Sequence, residues 1–169
     1  MPWTYSRWMR TFSLIREDMP PERRAVWEKA LLLGYTGISK TQLGHIHNIP
    51  THHAMALYIA GKTFGRSEWC QQAREYMHRV VAEQAPGGYW SEGGGPVVQY
   101  NEPYVEAIGI YYAVSGDQDV LPALNRAAEF HRRFTYPSGQ SVETIDQRNP
   151  YEPGIRSGNV GFTFCPAGR

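Results

Sequence analysis

Two kinds of helix-forming segment alternate along this chain, and the alternation returns at a fixed distance. The stretches AMALYIA (54–60) and VEAIGIYYAV (105–114) are apolar nearly all the way round. A helix in water tolerates that composition only where neighbouring elements enclose it. The stretches that follow them behave differently. In SEWCQQAREYMHRVVAEQ, the residues Trp69, Ala73, Tyr76, Met77 and Val80 recur at helical spacing with charges on the other side. In DVLPALNRAAEFHRRF, Val120, Leu124, Ala127, Ala128 and His131 do the same. Ser67 stands at an N-cap position, and Pro122 falls in a first turn, where a missing N–H costs little. The expected elements are enclosed inner helices near 52–64 and 100–115, and half-exposed outer helices near 67–84 and 118–134.

The second inner and outer pair repeats the first. Ala56 and Ala107, Ile59 and Ile110, Gly65 and Gly116, Gly88 and Gly139, and Glu92 and Glu143 are each 51 residues apart. Gly37 extends the glycine series backward. Five identities at one offset, with matching helix boundaries, indicate an internal repeat. PERRAVWEKALLLGY then corresponds to an earlier outer helix, with the segment Trp3 to Ile15 as its inner partner. Hairpins of this period bury their inner faces only against one another. The expected fold is therefore all-α, an incomplete (α/α) toroid of helical hairpins with a repeat of ~51 residues. With 41% hydrophobic residues the chain can bury one core, so a single domain over 1–169 is expected. Three hairpins do not close a ring, and the last residues, GFTFCPAGR, are largely apolar. An exposed toroid edge and self-association through it are expected.

Charge and composition narrow the partners. Seventeen basic residues face sixteen acidic ones, for a net charge of +1, and no basic run tracks a phosphate backbone; nucleic acid is not an expected partner. No apolar run reaches the length of a membrane-spanning helix. The first residues carry Arg7, Arg10 and Arg16 and lack the apolar core of a signal peptide, which makes the cytoplasm the default location. Cys70 and Cys165 are far apart without CxxC spacing, so neither a zinc ribbon nor a disulfide framework is indicated.

Chemistry concentrates just before the inner helices. HIHNIPTHHA (45–54) holds four of the six histidines. At the offset of 51, NIPTHH falls on QYNEPY, pairing Asn48 with Gln99 and His53 with Tyr104. Both clusters open an inner helix, where free N–H groups and the helix dipole favour an anion such as a substrate carboxylate. Three roles are open to the histidines: catalysis, helix-start structure, or metal binding through His45, His47 and His52. The last lacks an acidic partner at ligand spacing, so no metal and no cofactor are expected. His78 and His131 fall on outer helices and are expected to be packing or surface residues. The glycine-rich PGGYWSEGGGP (86–96) is open to two readings: Tyr89 and Trp90 stack on a sugar face beside Glu92, or the glycines only make the turn back into the next inner helix.

NIPTHHAMALYIAGKTFG, with GGYWSEGGGPVVQYNEPY and YPSGQSVETIDQRNPY after it, resembles the (α/α) toroid polysaccharide lyases of the heparinase II/III and alginate-lyase type. The likeness extends over residues 45–151. In those families an Asn-His pair opens an inner helix, and a tyrosine follows in the next repeat after a glycine-rich loop. Here His52 takes the place of the asparagine usually adjacent to the histidine, and Asn48 lies four residues upstream of it. The resemblance implies β-elimination on a uronic-acid glycan: proton removal at C5, expulsion of the oxygen at C4, and neutralisation of the carboxylate between them. His53, Tyr104, Asn48 and Tyr100 are then the expected catalytic residues. His52, Gln99, Tyr89, Trp90, Glu92, Glu102 and Arg148 are expected to bind an acidic polysaccharide or oligosaccharide. Two alternatives remain. One is a glycoside hydrolase on the same toroid, drawing two carboxylates from Glu92, Glu102, Glu143 and Asp146. The other is a non-catalytic helical module that binds a glycan or a protein.

Overall fold

The computed structural model describes residues 2–142 and 157–168. Every regular element among them is helical: α1 (Pro2–Ile15), α2 (Pro21–Thr41), α3 (Asn48–Phe64), α4 (Ser67–Ala82), α5 (Val98–Ser115) and α6 (Leu121–Arg132). Short 3-10 segments lie at Arg16–Asp18, Gln118–Val120, Ser157–Phe164 and Pro166–Gly168. Two isolated antiparallel bridges, Glu92 with Gly95 and Thr135 with Ser141, are the only strand-like pairings among the described residues. The chain groups into two compact units, Met1–Met77 and His78–Arg169, with the division inside α4. The all-helical expectation holds.

In the first unit α3 is the central helix, packed by α1 and α2. From Thr51 to Leu57 every residue of α3 is buried, as its continuous apolar pattern requires. The helix stops at Gly65, whose φ of 66° only a glycine adopts cheaply and whose N–H returns to the Gly61 carbonyl. Gly61 lets α4 close in, because a Cβ there would meet Cys70 Sγ at 2.6 Å and the Arg66 carbonyl at 2.8 Å. Met9 and Phe12 of α1 are buried, and Arg16 just beyond it donates to the Thr63 carbonyl near the end of α3 at 2.8 Å.

α2 buries one narrow stripe, Leu31, Tyr35 and Ile38. Val26, Trp27 and Leu33 stay exposed on α2, as do Trp8, Leu14 and Ile15 on α1. This is the kind of uncovered apolar surface that self-association would use. α2 also runs on to Thr41, well past the segment PERRAVWEKALLLGY, so Gly37 lies inside a helix and has no positive φ. It is not the turn glycine that the series 37, 88 and 139 requires.

In the second unit the long α5, buried over most of Val98–Tyr111, packs against the 3-10 segment Ser157–Phe164 and against α6. It closes as α3 does, on a left-handed glycine: Gly116 has φ 70° and returns its N–H to the Tyr112 carbonyl. The turns after α4 and α6 also share their hydrogen bonds. Ala85 N–H reaches the Tyr89 carbonyl and Gly88 N–H the Ala85 carbonyl; Tyr136 N–H reaches Gln140 and Gly139 N–H reaches Tyr136, each at 2.8 Å. Both glycines have positive φ. The expected faces are buried without exception: Trp69, Ala73, Tyr76, Met77 and Val80 in α4, and Val120, Leu124, Ala127, Ala128 and His131 in and just before α6. Residues 118–120 form a 3-10 turn rather than the start of α6, because the Asp117 side chain accepts from the Asp119 N–H and caps that turn.

One close backbone approach in this unit is between two glycines. A Cβ on Gly109 of α5 would lie 2.6 Å from the carbonyl oxygen of Gly161 and 2.7 Å from its Cα. No flexible side chain is there to yield. Gly109→Ala gains about 1 kcal/mol of helix propensity but has to displace backbone, at a cost of up to about 3 kcal/mol. The expected net loss is about 2 kcal/mol, measured by urea denaturation; unchanged stability would mean that the 157–164 segment does not rest on α5.

Candidate functional site

The histidine-rich stretch is held at the start of α3 by its own backbone. Tyr76 of α4 donates its hydroxyl to the His45 carbonyl at 2.8 Å and accepts from the His47 N–H at 3.4 Å, while Thr51 Oγ1 donates to the His47 carbonyl at 2.6 Å. These contacts fix where the helix begins. They also place Asn48, His52 and His53 in its first two turns, with only 2%, 3% and 7% of their surface exposed. The Asn48 side-chain N–H₂ and His53 Nδ1 have no hydrogen-bond partner among the described residues. Burial lowers the His53 pKa, so its ring is neutral at pH 7 and able to accept a proton. His45 is exposed and His47 half-buried.

The matching turns of α5 carry the second group. Tyr104 and Glu102 are buried, and Gln99 and Tyr100 half-buried. Counted back from the two glycine caps, His53 and Tyr104 occupy the same helical position, since each precedes its glycine by twelve residues. α5 begins one residue earlier on that count and absorbs Pro103 inside it.

Over this helix start lies the glycine-rich loop. Gly93 and Gly94 both have positive φ, 62° and 91°, and make a tight two-residue turn that pairs Glu92 with Gly95. The Glu92 side chain is buried as a result, at 5% exposure. Gly88 has a second reason to be glycine, for a Cβ would strike the Arg126 carbonyl of α6.

Trp90 corrects the expectation of an exposed sugar platform. Its indole is 2% exposed and lies parallel to the Tyr104 ring, with centroids 5.0 Å and planes 11° apart; its Nε1–H donates to the Val80 carbonyl at 2.7 Å. It is a core residue that sets the position of Tyr104. Tyr89 is half-buried against the Phe130 ring at 5.4 Å. Arg148, Glu143 and Asp146 lie outside the described residues.

Asn101, not among the expected residues, ties the loop to α5. It accepts from the Trp90 N–H at 2.6 Å and donates to the carbonyls of Trp90 at 3.1 Å and Val97 at 2.9 Å. A single asparagine in QYNEPY carries no pattern that separates it from its neighbours. Equally unexpected is the grouping of His78 with Asp117 and Asp119, the one set of three His, Cys, Asp or Glu side chains among the described residues with ligand atoms close enough to share an ion. The histidines of 45–53 do not form such a set there. Burial on its own raises the Asp117 pKa, but the Tyr111 hydroxyl, the His78 ring and the Asp119 N–H outweigh it and hold the carboxyl below its ordinary value. His131 is buried against the rings of Phe130 and Phe162, in line with a packing role.

No protein-family model matches the chain, and no significant similarity connects it to a curated protein or to a solved structure.

Proposed function

We propose that the chain is a polysaccharide-lyase-like domain that acts on a uronic-acid-containing glycan by β-elimination. One observation carries this reading: at the buried start of α3, Nδ1 of a neutral histidine, His53, and the side-chain N–H₂ of Asn48 find no partner among the described residues. Buried polar groups left without partners cost stability, and a catalytic role or a bound ligand is one reason for keeping them. In this reading Asn48 donates to the uronate carboxylate and lowers the cost of charge developing beside C5. His53 takes the C5 proton. The family resemblance gives the proton-donor role toward O4 to Tyr104, with Tyr100 beside it in sequence. The accompanying fold proposal is an incomplete (α/α) toroid. It is supported by the paired glycine caps, the paired turns and the shared buried faces described above.

A glycoside hydrolase is the second reading, favoured by the burial of two carboxylates, Glu92 and Glu102, in one unit. The two differ in product. The purified chain is to be incubated with uronate polymers while ultraviolet absorbance, which reports the unsaturated uronyl end, and reducing ends are followed together. Both signals rise for a lyase, reducing ends alone for a hydrolase, and neither for a binding module. For the lyase, His53→Ala and Tyr104→Phe should each lower kcat by about 100-fold or more, while Asn48→Ala raises KM and lowers kcat. Near-normal turnover in both of the first two variants would overturn the assignment.

A further inference from the structure

We propose that His78, Asp117 and Asp119 form a binding site for one divalent transition-metal ion, with zinc the best fit, independent of the glycan reading above. His78 comes from the end of α4, and the two aspartates flank Gln118 in the connection between α5 and α6. His78 Nε2 lies 2.9 Å from Asp117 Oδ2 and 3.8 Å from Asp119 Oδ2, and the three ligand atoms all fall within 4.8 Å of one another. Bonds of about 2.0–2.2 Å to a tetrahedral ion set ligand atoms roughly 3.3–3.6 Å apart. The existing spacings straddle that figure, so small side-chain rotations complete the set.

The three ligands differ in how firmly they are held, and in a useful order. Asp117 is the fixed member: its side chain is 3% exposed, Oδ2 accepts from the buried Tyr111 hydroxyl at 2.7 Å, and Oδ1 accepts from the Asp119 N–H at 3.2 Å. An ion taking the place of the His78 N–H would leave the Tyr111 bond intact, and that bond orients the carboxylate as partners behind metal ligands commonly do. His78 is 40% exposed and already turns Nε2 toward both carboxylates. Asp119, 79% exposed, is free to swing in. One imidazole and two carboxylates supply the donor types that zinc accepts, and the exposed side leaves the remaining position to water.

The test is zinc alone, titrated into the full metal-free chain by calorimetry, with the zinc-dependent rise in Tm as a second reading. Binding of one ion is expected, reversed by chelator. Asp119→Asn should weaken it by about tenfold or more while leaving the Tm of the metal-free chain unchanged, because that side chain is exposed; His78→Ala should abolish it. The double variant His45→Ala/His47→Ala should bind as the original chain does. Absence of zinc-dependent heat, or binding that Asp119→Asn and His78→Ala leave within about twofold, would overturn the proposal, and loss in the His45/His47 variant alone would move the ion to the α3 loop.

Discussion

Asn101→Ala is expected to lower the stability of the second unit by about 3 kcal/mol. The Asn101 side chain is 1% exposed and acts on the Trp90 main chain as a neighbouring strand would, accepting from its N–H and donating to its carbonyl. Alanine removes both bonds and the further bond to Val97. Trp90 N–H and carbonyl then remain in the core with nothing to bond, each orphan costing about 1–3 kcal/mol before any relaxation. The effect should also reach Tyr104, because the indole stacked on it is positioned from the same backbone. Chemical denaturation followed by circular dichroism gives the stability, and near-ultraviolet dichroism of the native variant reports the Trp90–Tyr104 pair. A loss below about 1 kcal/mol with an unchanged aromatic signal would show that the loop is held by something other than Asn101.

Acidification should destabilise the protein through His131. The ring is buried among Phe130 and Phe162, its Nε2 has no partner among the described residues, and burial pushes its pKa down to about 4. In the unfolded chain the same group titrates near its ordinary value of about 6.5. Between those two values the unfolded state holds a proton that the folded state refuses, so stability falls as the pH falls through this window. Above about 6.5 neither state is protonated, and below about 4 both are, so the dependence flattens at each end. The difference corresponds to about 3 kcal/mol lost between pH 7 and pH 4. Burial lowers the His53 pKa as well, so it adds to the slope in the same direction. His131→Leu should remove the larger part of the slope, and stability curves at a series of pH values would show it. A slope identical to that of the original chain would mean that the folded state takes up a proton on His131 as readily as the unfolded state does.

His131 also marks a limit of what periodicity conveys. By spacing it continues the apolar stripe of α6, and its counterpart 51 residues earlier is Val80 in α4. The stripe identified it as buried, which it is, but not that its Nε2 would have no partner among the described residues. The same holds for the first turns of α3 and α5. Their position at the start of enclosed helices was legible because an all-apolar helix has to begin somewhere polar. Which side chains turn inward was not, and Trp90, expected to face a sugar, faces Tyr104 instead.

What the sequence determined by itself is local. Helix period, the apolar stripes, Pro122 in a first turn and the left-handed glycines that end α3 and α5 all follow from residues within a few positions of one another, because hydrogen bonds in a helix span four residues. What only the tertiary structure decided joins residues far apart in the chain: Asn101 to the Trp90 backbone across eleven residues, His78 to Asp117 across thirty-nine, Gly109 against Gly161. Such pairs depend on the register in which buried helices settle and on which backbone polar groups are left for a side chain to satisfy. Gly37 shows the boundary from the other side. It matches the turn glycines by number, yet α2 carries on through it, at a position where a Cβ would meet nothing within 4 Å.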